Sequence, residues 1–379
     1  MSYGLVLEGG GAKGSYQMGA YMAVLEEGLE ISAVVGTSIG ALNGAFIVQG
    51  AVEALLEVWK NAAFSTGEDF LEAYGKLKGE SFPNPIHLFQ TVRSAGQVDP
   101  KPLKELIHRH IDEEKIRNSP LDYGLTVYSL SENKTKSLFV DEIPRGKLNS
   151  YLEASCTFPI FPPVKIDGKL YMDGGLGNNL PFEMVLDRGL TPVILRTNPP
   201  AEGEKMPPGA LVVAPRAPLG GTLDFDPMTT EERMQRGYRH AKRILGGYDG
   251  YDYAFEPMTE EEAMVGLMKL FYTGRENFRY MISREFPLER GIWEELFPKL
   301  AGELELPQNY SYKELYLGLL EARGAMVQLP HDGIYRADAF EKLLRRDGSL
   351  GPRPSLGEEG ALLPRVLHLL FSTYGKALP

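Results

Sequence analysis

The chain has 379 residues, 43% hydrophobic and 24% charged, the usage of an ordinary globular protein rather than a disordered, collagenous or low-complexity one. Its 40 basic and 51 acidic side chains leave a formal net charge of −11 with neither half basic, which argues against nucleic acid as a partner and against a polybasic lipid anchor. The single cysteine, Cys156, excludes an internal disulfide and fits a reducing compartment. The start of the chain does not read as a signal peptide, and no window holds the ~18 apolar residues of a membrane span, so a cytoplasmic protein is expected.

In chain order, Tyr3–Leu7 reads as a short buried strand ending at glycines. Met18, Tyr21, Met22 and Leu25 then recur at helical spacing within Ser15–Gly28. Ile31–Val35 is a second β-branched strand and Ile39–Val48 a second helix. This β-α-β-α order predicts a parallel sheet with covering helices. Residues 61–98 are irregular and aromatic, and are read as either a lid over an apolar site or an insertion with its own small core. Leu103–Ile111 reads as a helix, and Tyr123–Leu130 with Ser137–Val140 as a strand pair. Lys169–Met172 is a strand running into Asp173-Gly174-Gly175. Pro192–Arg196 and Leu211–Ala214 are two more strands, separated by a Pro/Gly-rich surface loop at Asn198–Gly209. Beyond about Gly250 strand signals vanish, and 258–375 reads as helices. The expected organisation is a catalytic domain over 1–250 and a helical region of unknown role over 251–379.

Three segments carry chemistry. Gly9-Gly10-Gly11-Ala12-Lys13-Gly14 follows the first strand and opens a helix, which presents bare backbone N–H groups to an anion or a developing oxyanion. It also matches G-x-G-x-x-G, but the dinucleotide fingerprint calls for an acidic residue near the end of strand two. Glu26, Glu27 and Glu30 all precede that strand, and Lys13 is followed by Gly14 rather than the Ser or Thr of a Walker loop. Gly36-Thr37-Ser38-Ile39-Gly40 is a G-x-S-x-G between strand and helix, read as either an exposed nucleophile on a sharp turn or a helix cap. Asp173-Gly174-Gly175 is either a turn or the base that a serine nucleophile requires. Of the six histidines, His87, His108, His110, His240, His331 and His368, none sits in a glycine-rich strand-end setting.

These motifs in this order resemble the patatin-like phospholipases. The resemblance extends through Ala154-Ser155-Cys156-Thr157-Phe158-Pro159 to Val164 and through Asp173 to Pro181, and covers about residues 3–196. It implies a three-layer α/β/α patatin-like fold with a largely parallel central sheet, here followed by a helical C-terminal extension. It also implies a Ser–Asp dyad of Ser38 as nucleophile and Asp173 as base, and an oxyanion hole in the loop of Gly9, Gly10, Gly11, Lys13 and Gly14. The implied activity is hydrolysis of acyl esters of phospholipids or related lipids through an acyl-enzyme. No metal or cofactor is implied, and the partners are a lipid substrate and a transient membrane surface. Lys13 is read as a solvated charge or a support for the loop.

Three other readings stand beside this one. They are a Rossmann-type dinucleotide-binding oxidoreductase built on Gly9, Gly11 and Gly14, a catalytically silent storage or scaffold protein of the same fold, and an α/β-hydrolase with a histidine triad. Cys156 is expected as a packed apolar residue, Asn178 and Asn179 as shapers of the turn after Asp173, and Trp59 and Trp293 as core.

Overall fold

The computed structural model describes residues 2–60, 101–159, 161–201, 203–272, 275–331, 333–346 and 362–372. The aromatic segment 61–98 lies outside them. Contacts divide the chain into two compact units, Met1–Lys242 and Arg243–Pro379.

The first unit begins with β1 (Tyr3–Leu7), α1 (Gly14–Glu26), β2 (Ile31–Thr37), α2 (Ile39–Val48) and α3 (Val52–Lys60). It continues with α4 (Lys101–His110), α5 (Glu113–Arg117), β3 (Asp122–Ser129), β4 (Lys134–Phe139) and α6 (Leu148–Ser155). Then come β5 (Val164–Ile166), β6 (Lys169–Asp173), α7 (Phe182–Asp187), β7 (Thr191–Leu195), β8 (Leu211–Val213) and α8 (Pro227–Leu245), whose last turn passes into the second unit. The strands form one sheet in the order β5-β6-β3-β2-β1-β7-β8, with β4 also paired to β3. The β1–β2, β2–β3, β1–β7 and β7–β8 pairs are parallel, and the pairs involving β4, β5 and β6 with their neighbours are antiparallel.

Side-chain alternation explains why the central strands read as unbroken apolar runs. Leu7, Val34 and Tyr123 point to the face covered by α2, where the Tyr123 hydroxyl donates to the Ala41 carbonyl at 2.8 Å. Val6, Val35 and Ile194 point the other way and pack with Val185 and Met184 of α7. With helices on both faces, the sheet is the middle of three layers. The expected strands are all present. The hairpin strand β5 and the helices α3, α5, α6, α7 and α8 were not anticipated. β5 is only three residues long and α7 six, too short for a periodic signal.

Register sets the position of the site. β4 lines one edge of β3 along Gly124–Ser129, so β2 and β6 share the other edge. β2 pairs there up to Thr37↔Thr126, and β6 takes over at Asp173↔Val127. Two strands running in opposite directions thus end against each other, one at Thr37 and the other at Asp173.

The second unit contains α9 (Glu260–Tyr272), α10 (Phe297–Glu303), α11 (Tyr312–Met326), α12 (Ala337–Arg346) and α13 (Leu362–Ser372). Its core joins Phe255, Leu267, Phe271, Phe297, Leu320 and Phe340. The expectation of helices alone beyond Gly250 is corrected in one respect: β9 (Ala254–Phe255) and β10 (Ile334–Tyr335) form a two-residue parallel ladder. Strands that short leave no readable alternation. No helix among the described residues is long and apolar enough to cross a membrane.

Candidate active site

Ser38 occupies the one-residue turn between β2 and α2 with φ 55° and ψ −126°. A non-glycine residue held there stores strain of order 1–3 kcal/mol, which the surroundings must over-determine. They do so at three points. The Ser38 N–H donates to Ser155 Oγ at 3.0 Å, and Ser155 Oγ in turn donates to the Thr126 carbonyl at 2.8 Å. The Cys156 thiol donates to the Ser38 carbonyl at 3.2 Å. The flanking glycine Gly40 lies so close under the Leu7 carbonyl that a Cβ would collide with it. The side chain of Ser38 makes no helix-capping bond. It donates instead to Asp173 Oδ2 at 2.6 Å.

Asp173 is 5% exposed. Its other carboxylate oxygen, Oδ1, accepts the Gly175 N–H at 2.8 Å, and its own N–H donates to the Thr157 carbonyl at 3.0 Å. Burial lifts its pKa from 3.8 to about 6, against the opposing effect of the bonds from Ser38 and Gly175. This changes the chemistry expected of an aspartate. An ordinary carboxylate is a feeble base at pH 7, whereas one near 6 is still mostly ionised there and binds a proton about a hundredfold more tightly.

The glycine loop separates into bonded and open amides. The Gly9 N–H donates to the Asn179 carbonyl, Ala12 N–H to the Thr222 carbonyl at 2.7 Å, Lys13 N–H to the Gly10 carbonyl, and Gly14 N–H to the carbonyls of Gly11 and Ala12. The amides of Gly10 and Gly11 have no acceptor among the described residues. Of the five residues expected to form the hole, these two carry the open donors. Gly11 has φ +57°, and a Cβ there would collide with the Thr222 carbonyl. Lys13 reaches Asn198 Oδ1 at 2.7 Å, and burial lowers its pKa, so it is a partly buried support of the loop rather than a solvated charge.

Three supporting residues, Glu8, Gln17 and Asn43, carried no signal in the sequence. Glu8 is buried and accepts the N–H groups of Thr197 at 2.6 Å and Asn198 at 3.1 Å, and Arg196 Nη2 at 3.2 Å. Gln17 Nε2 donates to the Glu8 and Leu195 carbonyls. Asn43 Nδ2 bridges the Gly14 carbonyl and Gln17 Oε1, and Asn43 Oδ1 takes the Trp59 indole N–H at 3.2 Å. Asn179 Nδ2 donates to the Gly9 carbonyl, so this asparagine ties the turn after Asp173 to the glycine loop. These contacts span long sequence separations between residue types with no local pattern.

Ser38, Asp173, Gly10 and Gly11 line a cavity of about 400 Å³. Its walls are apolar: Leu42, Leu103, Phe158, Phe161, Leu223 and Phe225. Cys156 also borders it, with its thiol pushed well up by burial. No described histidine lines it. His240 is fully buried and bonds the Tyr16 hydroxyl through Nδ1 at 2.7 Å, and His331 bonds the Asp252 carbonyl. The residue that follows β2 in the site is a serine where a dinucleotide site would carry an acid, and Glu8, the acid nearest the glycine loop in sequence, is held by Arg196 and two backbone amides.

The serine on its strand–helix turn, the buried carboxylate it bonds and the open amide pair thus meet where β1, β2 and β6 end in an α/β fold. Residues 5–186 match the family model described as patatin-like phospholipase, and the chain carries a domain of that family. Lysophospholipase nte1 of Aspergillus terreus is 29% identical over 186 residues, 47% of this chain and 11% of that protein. An uncharacterized NTE family protein of Mycobacterium tuberculosis is 30% identical over 187 residues, 48% of this chain and 28% of that one. The match therefore spans under a third of the length of these relatives. Among solved structures, VipD from Legionella pneumophila overlaps 97% of this chain and 83% of its own at TM-score 0.42 and 15% identity, a likeness too loose to support any inference.

Proposed function

We propose that the chain hydrolyses acyl esters of phospholipids or related lipids through Ser38 and Asp173. The observation that carries this reading is the 2.6 Å bond from Ser38 Oγ to Asp173 Oδ2, made beside two open amides in an apolar cavity. Ser38 Oγ attacks the ester carbonyl carbon as its proton passes to Asp173. The carbonyl oxygen gains negative charge and accepts the N–H groups of Gly10 and Gly11. One such preset donor is worth roughly 2.7–4 kcal/mol. Collapse breaks the ester C–O bond, and Asp173 returns the proton to the departing alcohol oxygen, leaving acyl-Ser38. Water then attacks the acyl carbon, gives its proton to Asp173, and collapse frees the acid while the proton returns to Ser38 Oγ. A dyad held in hydrogen-bond contact before substrate arrives gains from the high effective concentration of a positioned base.

The apolar walls suit an acyl chain, and the lysophospholipase relative is consistent with a lipid ester. The test is labelling with a fluorophosphonate followed by peptide mapping, with turnover of p-nitrophenyl esters measured in parallel. The label is expected on Ser38, and Ser38→Ala is expected to lose both label and turnover while keeping its melting curve. Labelling elsewhere, or turnover surviving in Ser38→Ala, overturns the assignment.

A further inference from the structure

The loop of residues 219–225, between β8 and α8, touches both halves of the site. Its Thr222 carbonyl holds the Ala12 N–H at 2.7 Å, directly after the two open amides. Its Leu223 and Phe225 side chains form part of the cavity wall. Phe225 also stacks on Trp59 with ring centroids 6.3 Å apart, and Trp59 bonds Asn43, which holds the Gly14 carbonyl. The loop therefore holds the glycine segment directly at Ala12 and, through Trp59 and Asn43, at Gly14.

A single side chain fixes the loop. Arg233 of α8 is 3% exposed. Its Nε donates to the Leu219 carbonyl at 2.7 Å, Nη1 to the Asp224 carbonyl at 2.6 Å, and Nη2 to the Gly221 carbonyl at 3.4 Å and Asp224 Oδ2 at 3.2 Å. A planar guanidinium with five donors satisfies three carbonyls and a carboxylate in one plane, which an ammonium cannot do. The helix that carries it is itself pinned to α1. Gly237 lies against the Tyr16 carbonyl and Gly19 against the Met234 carbonyl, each too close for a Cβ. Arg233 thus refers the loop to the same helix that the glycine segment opens.

We infer that Arg233 is a positioning residue for the reaction: by clamping residues 219–224 it holds the Thr222 carbonyl on Ala12 N–H, and so aims the Gly10 and Gly11 amides while setting the acyl wall at Leu223 and Phe225. The inference rests on the acyl-hydrolase reading for its kinetic consequence but not for its structural one, and two measurements separate them.

The first is amide hydrogen exchange on the full chain, which needs no activity. Arg233→Ala is expected to speed exchange about tenfold or more in peptides covering both 219–226 and 9–14, with β2 and β3 unchanged. The second is ester kinetics. The kcat is expected to fall at least about tenfold for short and long acyl esters alike, because the oxyanion donors serve both, while KM rises for the long chain alone, because only that substrate uses Leu223 and Phe225. Arg233→Lys keeps the charge without the fork and is expected to lie between, and it decides the matter if Arg233→Ala does not fold. If residues 219–226 loosen while Ala12 stays protected and kcat is kept, the coupling is absent and the inference is overturned. If exchange couples the two segments but neither parent nor variant cleaves any ester, the clamp stands and the acyl-hydrolase reading is what fails.

Discussion

At the residue scale, Asp173 of the proposed dyad is the group whose burial bears on both the proposed chemistry and a stability cost. The folded carboxyl, with a pKa of about 6, binds its proton more tightly than an exposed aspartate. Its contribution to stability is therefore full below the ordinary pKa of 3.8 and is lost as pH rises through about 6. A shift of that size corresponds to a cost on the order of 3 kcal/mol for holding the ionised form at neutral pH. Asp173→Asn keeps the Gly175 N–H bond and can donate to Ser38 Oγ without any charge. It is expected to melt several degrees above the parent at pH 8, to match it near pH 4, and to lose turnover at least ~10³-fold at pH 8, with the gap narrowing toward pH 4 as the parent's own base is protonated. The parent's kcat/KM is expected to rise with pH through a midpoint near 6 as the base ionises. Melting curves and a pH–rate profile check both; a variant no more stable than the parent at pH 8 removes the account of the carboxylate as a buried base. The sequence singled out Asp173 as a candidate because a strand end followed by two glycines is local. It did not reveal the raised pKa, which comes from burial of the carboxyl in the folded chain.

At the element scale the site is a meeting of chain turns. The three glycine-containing motifs were legible because each marks a place where the backbone must do something side chains forbid. The end-to-end meeting of β2 and β6 along one edge of β3 was not, since register is fixed by pairing across more than a hundred residues. Nor was the 219–225 loop, although it completes the glycine segment. That loop predicts how the segment responds to mutation. Gly11 has positive φ and sits under the Thr222 carbonyl, so any side chain there is opposed twice over. Gly11→Ala is expected to cost about 2 kcal/mol and to lower kcat at least tenfold with KM for a short ester little changed, because an aimed amide acts in the transition state rather than in binding. Urea unfolding and steady-state kinetics measure the two effects. A folded Gly11→Ala protein with parental kcat would place the oxyanion donors elsewhere.

At the scale of the whole molecule, the chain holds two cores that share neither architecture nor composition of elements. The sheet of Met1–Lys242 is wrapped by helices on both faces, and the helices of Arg243–Pro379 close on their own aromatic cluster around Phe271, Phe297 and Phe340. The change from mixed to helical patterning was readable near residue 250; what the second core does was not, because nothing in it forms a motif. The two tryptophans divide between the units. Trp59 is fully buried and held by Asn43 in the first, and Trp293 packs edge-on against Phe297 in the second, with ring centroids 4.9 Å apart. Each is a built-in reporter of its own core. Units with separate cores unfold separately unless something couples them, so Trp293→Phe and Trp59→Phe proteins are expected to give different denaturation midpoints by fluorescence. Attaching a fluorophosphonate at Ser38 fills the cavity of the first unit only. Because it changes the folded state of one unit and not the other, it is expected to raise the Trp59 transition and leave the Trp293 transition where it was. If both tryptophans report one midpoint, and both shift together on labelling, the two cores form a single cooperative unit and the division of the chain does not extend to its stability.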